Sequence, residues 1–369
     1  MSVERALHDL QNRIANAYTV IGTKGGTLPS VQDTANLSTA IDTIPTGGGS
    51  AKKWGMTLDE IAYVNDAGQL KHFGGLSGST VNFTGVRSVS PATFYDAFRN
   101  NATIQSASFP DLSVVNSLYS FHGAFYGCSN FVSASFPKLI SAFGDYVFEE
   151  AFMNCTSLGE ISFPELSAVG SGNSKNAFTK AFQGCTSLSS ISFPKLLKCD
   201  GSTATGFVFQ GVFDSCPSLS TISFPELSSI YGVSYFITAF RNCTKLTTVS
   251  FPKLKEAGGN SIFNQAFTGT QVTTLSFPEL STLYNTGSSA ANATFKDNPT
   301  LTALYFPKLI GMSTNTTKTN VTATHLFDGC KNLVEIHFGS ANQTIIEGSS
   351  GYATKWGAPN ANCQIYFDL

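Results

Sequence analysis

Residues Asn176 to Leu196 read NAFTKAFQGCTSLSSISFPKL, and this arrangement returns along most of the chain. The pair Phe193-Pro194 has counterparts at Phe109, Phe136, Phe163, Phe224, Phe251, Phe277 and Phe306. Taken in order, the eight pairs stand 27, 27, 30, 31, 27, 26 and 29 residues apart, and a ninth has become Phe338-Gly339. A sustained period of this length is the signature of a stacked solenoid, in which each unit buries its apolar face only against its neighbours. Such folds mainly supply long surfaces for binding.

Two further phenylalanine columns precede each Phe-Pro. One holds Phe98, Phe125, Phe152, Phe182, Phe213, Phe240, Phe267, Phe295 and Phe327. The other, four residues earlier, holds Phe94, Phe121, Phe148, Phe178, Phe209, Phe236 and Phe263, with Ala291 and Ala323 in the last two units. Counting Phe338, the three columns take 25 of the 31 phenylalanines, so most of the aromatic content is repeat core. A spacing of four places both rings on one face of a helical turn. Three residues beyond the second phenylalanine lies a structural ladder: Asn101, Cys128, Cys155, Cys185, Cys216, Cys243, Thr270, Asn298 and Cys330. These residue types share small size and a side-chain donor. Such a column is expected to satisfy the inward backbone carbonyls of a stacked turn. The following segment, as in Leu188 to Phe193, alternates apolar and polar residues and predicts a short half-buried strand. Proline ends it by removing a ladder donor.

The pattern AFxxCxxLxxIxFPxLxxI, repeated over about residues 91–338, resembles the BspA-like, Treponema-type leucine-rich repeats. The resemblance implies a right-handed α/β solenoid of nine stacked repeats with one parallel sheet and short helical or irregular segments opposite. Insertions such as Gly170 to Asn176, Cys199 to Gly206 and Gly311 to Thr322 fall between the leucine after Phe-Pro and the next phenylalanine pair, on one side of the solenoid. The residue after each proline alternates in charge: Asp111, Lys138, Glu165, Lys195, Glu226, Lys253, Glu279 and Lys308. With repeats about 4.8 Å apart, each charge is expected to have an opposite charge on both sides. Exposed pairs contribute only about 0–1 kcal/mol each, so the column reads as register and solubility rather than as catalytic carboxylates.

The composition excludes several functions. Of 369 residues 42 % are hydrophobic and only 12 % charged, with net charge −2, so there is no basic field for nucleic acid. No stretch approaches the 18 apolar residues of a membrane span. Zinc sites need close cysteine pairs, and none exists. The eight cysteines therefore read as reduced and structural, with Cys199 and Cys363 outside the ladder. His325 and His337 lie too far apart in sequence to mark a triad or metal pair and read as surface or strand residues. Gly47-Gly48-Gly49 follows a proline and reads as a hinge, not a phosphate loop. No cofactor, metal or catalytic constellation is expected, and no enzyme.

Ahead of the repeats, Val3, Leu7, Leu10, Ile14, Ala17 and Ile21 form a short heptad seam on an amphipathic helix. The stretch from Leu7 to Pro45 resembles the N-terminal module of phage and prophage structural proteins from Gram-positive hosts, which implies attachment to a particle. The N-terminus carries no apolar run leading to a cleavage site, which fits assembly in a bacterial host cytoplasm. The expected organisation is a helical attachment or oligomerisation module at 1–46, a linker and small β cap at 47–90 with a hairpin turn at Asp66-Ala67-Gly68, the solenoid at 91–338, and a C-terminal cap at 339–369. The expected role is a phage virion protein, tail-associated or fibre-like. Residues 1–46 would meet other virion proteins, as a homo-oligomer such as a trimer, and the repeats would meet a host-surface glycan or protein. Tyr146, Tyr231, Tyr235 and Tyr284 are the candidate receptor contacts. The alternatives are a bacterial surface adhesin and a virion spacer that binds nothing.

Overall fold

The computed structural model describes residues 61–64, 69–74, 79–170, 175–200, 207–231, 235–258, 262–284, 295–313, 326–348 and 352–369. The attachment seam at residues 3–21 lies outside them. The chain divides into two compact units, residues 1–76 and 77–369. In the first, strands Ile61–Val64 and Gln69–Gly74 pair antiparallel, with a register shift between Tyr63 and Val64. The turn at Asp66 to Gly68 read from the sequence lies outside the described residues.

The second unit is a parallel β-solenoid of about nine turns. Its front strands are the segments ahead of Phe-Pro: Thr80–Asn82, Ser106–Ser108, Ser133–Ser135, Glu160–Ser162, Ser190–Ser192, Thr221–Ser223, Thr248–Ser250, Thr274–Ser276, Ala303–Phe306 and Glu335–Phe338, closed by Gln364–Tyr366. In the three-residue strands from Thr80–Asn82 to Thr274–Ser276 one central side chain is buried between outward neighbours, as the period of two requires. Successive strands pair in register in parallel sheets of five, two and four strands.

The leucine after Phe-Pro turns inward, and the chain forms a second strand that the sequence reading did not anticipate. Val114–Val115, Ser141–Ala142, Ala168–Val169, Lys198–Asp200, Ser229–Tyr231, Glu256–Gly258, Thr282–Tyr284 and Gly311–Ser313 make one eight-stranded parallel back sheet. The solenoid therefore has two strand columns where one sheet was expected.

The segment carrying the two phenylalanines is not helical. From Phe94 to Asn101 the amides alternate strictly. Phe94, Asp96, Phe98 and Asn100 donate to carbonyls of the next repeat, at Ser120, His122, Ala124 and Tyr126. Tyr95, Ala97, Arg99 and Asn101 donate three residues back in their own repeat. Asp96 and Asn100 have φ of 49° and 58°, in the left-handed region. A left-handed residue every fourth position reverses the chain before an α-helical ladder can form, and the freed groups bond across repeats instead. The ribbon keeps the spacing of four that places both phenylalanines inside. Among the described residues the one α-helix is Gln343–Glu347, near the C-terminal end.

Three ring columns fill the interior. Rings of the Phe-Pro column stack on one another with centroids 4.8 Å apart at Phe109–Phe136 and 5.2 Å at Phe224–Phe251. The first column stands edge-on to it, as at Phe94–Phe109 with planes 89° apart. Offset and edge-to-face pairs of this kind contribute about 0.5–1.5 kcal/mol each beyond burial. At the C-terminal end Trp356 closes the stack against Phe327 and Phe338, and Phe367 packs on Phe338.

Candidate binding surface

The ladder residues lie on the interior side of the turn ribbon. The thiols of Cys128, Cys155, Cys185, Cys216, Cys243 and Cys330 donate to the carbonyls of Phe98, Phe125, Phe152, Phe182, Phe213 and Phe295, one repeat back, at 2.8–3.1 Å. Burial pushes the Cys128 thiol up to about 11 and those of Cys243 and Cys330 to about 12, and it raises those of Cys155, Cys185 and Cys216 as well. All eight cysteines are buried and free of disulfides. Three ladder members behave differently. Asn101 accepts from the amides of Thr103 and Ile104 within its own turn, because it begins the ladder. Thr270 is too short to cross and bonds the Phe267 carbonyl in its own repeat. Asn298 donates to the carbonyls of Phe263 and Phe295 and accepts from the Phe267 amide. The column is therefore internal scaffolding and presents nothing to a ligand.

The charge row lies outside, at the edge of the front sheet. Asp111–Lys138, Glu165–Lys195, Glu226–Lys253 and Glu279–Lys308 are ion pairs of 2.6–2.8 Å. Each acid pairs only with the lysine of the following repeat. Among the described residues no lysine of this row lies within 4.0 Å of the next acid, so the expected continuous ladder resolves into separate pairs. A lysine folded onto one carboxylate cannot also reach its other neighbour. Asp111 also accepts from the Gly85 amide, and the Lys138 and Gly85 bonds hold its carboxyl below the ordinary range.

The candidate tyrosines scatter. Tyr146 is half-buried on the turn ribbon and stacks on Tyr119 at 4.7 Å. Beside it His122 packs on Tyr95 and meets Glu149 at 3.2 Å. Tyr235 is fully buried, which removes it from the receptor contacts: it lies just before Phe236 and its ring belongs to the core. Tyr231 and Tyr284 end back strands, and their side chains lie outside the described residues. So do most residues of the long insertions, Ala291, Ala323 and His325.

The most regular exposed feature escaped the sequence reading. On the front sheet the outward positions form two columns. One runs Thr80, Ser106, Ser133, Glu160, Ser190, Thr221, Thr248 and Thr274, and the other Asn82, Ser108, Ser135, Ser162, Ser192, Ser223, Ser250 and Ser276. Among the described residues the hydroxyls of these two columns form one bond to protein, Ser106 to Thr80 at 3.1 Å. The second column then continues in register as Tyr305, His337 and Tyr366, with rings stacked at 4.5 and 4.7 Å. Its signal was the SxS or TxS triplet before six of the eight Phe-Pro pairs, which reads at first as ordinary strand alternation.

Comparison with known families places these repeats. The profile described as BspA type leucine rich repeat region matches residues 93–198, 149–310 and 208–352, which together exceed half of the chain. The chain belongs to the BspA-type leucine-rich repeat family. Similar solved structures include a leucine-rich repeat protein from Bacteroides ovatus, 18 % identical over 76 % of this chain and 70 % of that one, with a TM-score of 0.42. The T. pallidum leucine-rich repeat protein is 21 % identical over 58 % of this chain and 89 % of its own, with a TM-score of 0.39. A leucine-rich cell-surface protein from Faecalibacterium prausnitzii is 14 % identical over 86 % and 100 %, with a TM-score of 0.26. Comparison with curated proteins returned no match. Among the described residues there is no cluster of histidine, cysteine and acidic side chains able to hold a metal, and no helix long and apolar enough to cross a membrane.

Proposed function

We propose that this BspA-type repeat protein is a component of a phage virion, tail-associated or fibre-like, whose solenoid binds the host cell surface. The observation that carries the binding role is the contrast between the solenoid's two sides. Its interior is filled by stacked rings and its ladder donors are spent on backbone carbonyls, while its front face presents unpartnered hydroxyls in register over successive repeats. A surface of that kind suits recognition of an extended partner, as repeat folds generally do. The attachment role rests on the resemblance of residues 7–45 to phage structural modules, with the seam Val3 to Ile21 meeting other virion proteins or further copies of the chain. The alternative is a bacterial surface adhesin using the same face.

The experiment is a cell-binding titration with the fluorescently labelled full chain on bacteria from the source culture. Saturable retention, competed by unlabelled protein, is the expected outcome. Retention no greater than that of an unrelated protein of similar charge would reject a host-binding role and leave a spacer.

A further inference from the structure

We propose that the front face is a track for an uncharged, linear polysaccharide, with Tyr305 as the stacking wall at one end. The inference rests on the host-binding reading and names the chemical class of its ligand. Three properties of the face point to it.

The first is the hydrogen-bonding lattice. Outward hydroxyls recur at about 4.8 Å from strand to strand and about 6.7 Å along each strand. Each serine or threonine hydroxyl both donates and accepts, which suits sugar hydroxyls that also do both. The second is charge. Between Thr80 and Ser276 the two columns carry a single ionisable side chain, Glu160. The flanking lysines and acids are already neutralised in pairs of 2.6–2.8 Å. Nucleic acid, a teichoic-type polyphosphate or a sulfated glycan would find no free counter-charge there, whereas an uncharged polymer loses nothing. The pairs also repeat every second strand, about 10 Å, so the edge of the track has the two-unit period of a chain whose alternate sugars are flipped.

The third is the end wall. Ser276, Tyr305, His337 and Tyr366 lie in one register column; the Tyr305 ring stacks on His337 at 4.5 Å, and its neighbour on the track side is the small Ser276. Stacking of an apolar sugar face on an aromatic ring adds contact area at little cost in side-chain freedom, because a tyrosine has only two side-chain torsions. The strands beneath run parallel and pair in register in groups of five, two and four, so within each group an added repeat extends the same contacts.

The test uses the full chain against immobilised neutral glucan, mannan, xylan and chitin chains, with dextran sulfate and polyphosphate as charged comparators. Ser135→Lys, Ser192→Lys and Ser250→Lys are made together, and Tyr305→Ala separately; circular dichroism melts establish that each variant folds. Cell binding is measured in parallel. The inference expects retention on at least one neutral polymer and none on the charged ones. It also expects at least a tenfold loss in the triple lysine variant and a several-fold loss in Tyr305→Ala, with melting unchanged. No retention on any neutral polymer, preference for a charged one, or retention indifferent to the lysines would overturn it. If cells are bound but the lysines leave that binding intact, the polysaccharide track fails while the host-binding role stands, and a protein receptor on another face replaces it. If cells are not bound at all, the host-binding role itself fails.

Discussion

Asn298→Ala is expected to be the most damaging single truncation in the ladder, although asparagine is not the commonest residue there. Asn298 is fully buried. Its side-chain amide donates to the Phe263 carbonyl at 2.9 Å and the Phe295 carbonyl at 2.7 Å, and its oxygen accepts from the Phe267 amide at 2.8 Å. In earlier repeats the equivalent phenylalanine amide bonds the next repeat directly, as Phe240 does to Ala266. Among the described residues Asn298 is the partner of the Phe267 amide. Truncation leaves the Phe267 amide buried without a partner, which costs about 1–3 kcal/mol. The two carbonyls are better protected, since Phe263 also accepts from the Ala266 amide and Phe295 from the Cys330 thiol. Losing their second bonds adds about 0.5–1.5 kcal/mol each. A total of about 2–6 kcal/mol follows. Cys185→Ala, by contrast, removes one thiol bond of 3.1 Å from a Phe152 carbonyl that keeps the Cys155 amide, so roughly 1–2 kcal/mol is expected for the bond and the small void. Urea titrations followed by circular dichroism would give both values. If Asn298→Ala cost less than Cys185→Ala, the reasoning from hydrogen-bond accounting would be refuted.

Other consequences can be measured with the same assay. Gly184→Ala should destabilise by about 1–2 kcal/mol, since Gly184 has φ of 74° and a Cβ there would lie 2.3 Å from the Asn154 Oδ1. Gly159→Ala, with nothing within 4 Å of its Cβ, should be neutral or slightly stabilising. Lys195→Ala at the charge row should cost no more than about 1 kcal/mol and lose even that in high salt, because the Glu165 pair is exposed. Stability should be flat through neutral pH and fall above pH 9. The ladder thiols stay protonated in the fold while the unfolded chain ionises near the ordinary value of 9.0, and the loss continues as pH rises towards about 11 for Cys128 and about 12 for Cys243 and Cys330. Replacing ladder cysteines by serine should flatten that alkaline slope, and an unchanged slope would place its origin elsewhere.

Much of the fold was legible because a solenoid writes each spatial column as a sequence period. The Phe-Pro pairs, the two further phenylalanine columns and the donor column each map onto one interior stack. What stayed hidden has physical reasons. The back strands are two or three residues long and mix Val, Ser, Lys, Glu and Gly, so no alternation marks them. The turn ribbon repeats every four residues, close enough to a helical turn that Phe94 and Phe98 fit either. The distinguishing signal sits two residues after the second phenylalanine, where Asn100, Gly127, Asn154, Gly184, Asn242, Gly269, Asp297 and Gly329 favour the left-handed region. The charge alternation named the right partners but not their pairing, because one lysine side chain settles on one carboxylate. The hydroxyl face was legible residue by residue and became a surface only when the strands aligned in register.

The proposal that this repeat domain belongs to a phage particle is tested most directly by immunogold electron microscopy of an induced lysate of the source culture, using antiserum to residues 89–369. The account predicts gold on phage particles, at tails or fibres. Gold confined to cell envelopes, with particles unlabelled, would contradict it and leave the surface adhesin in its place.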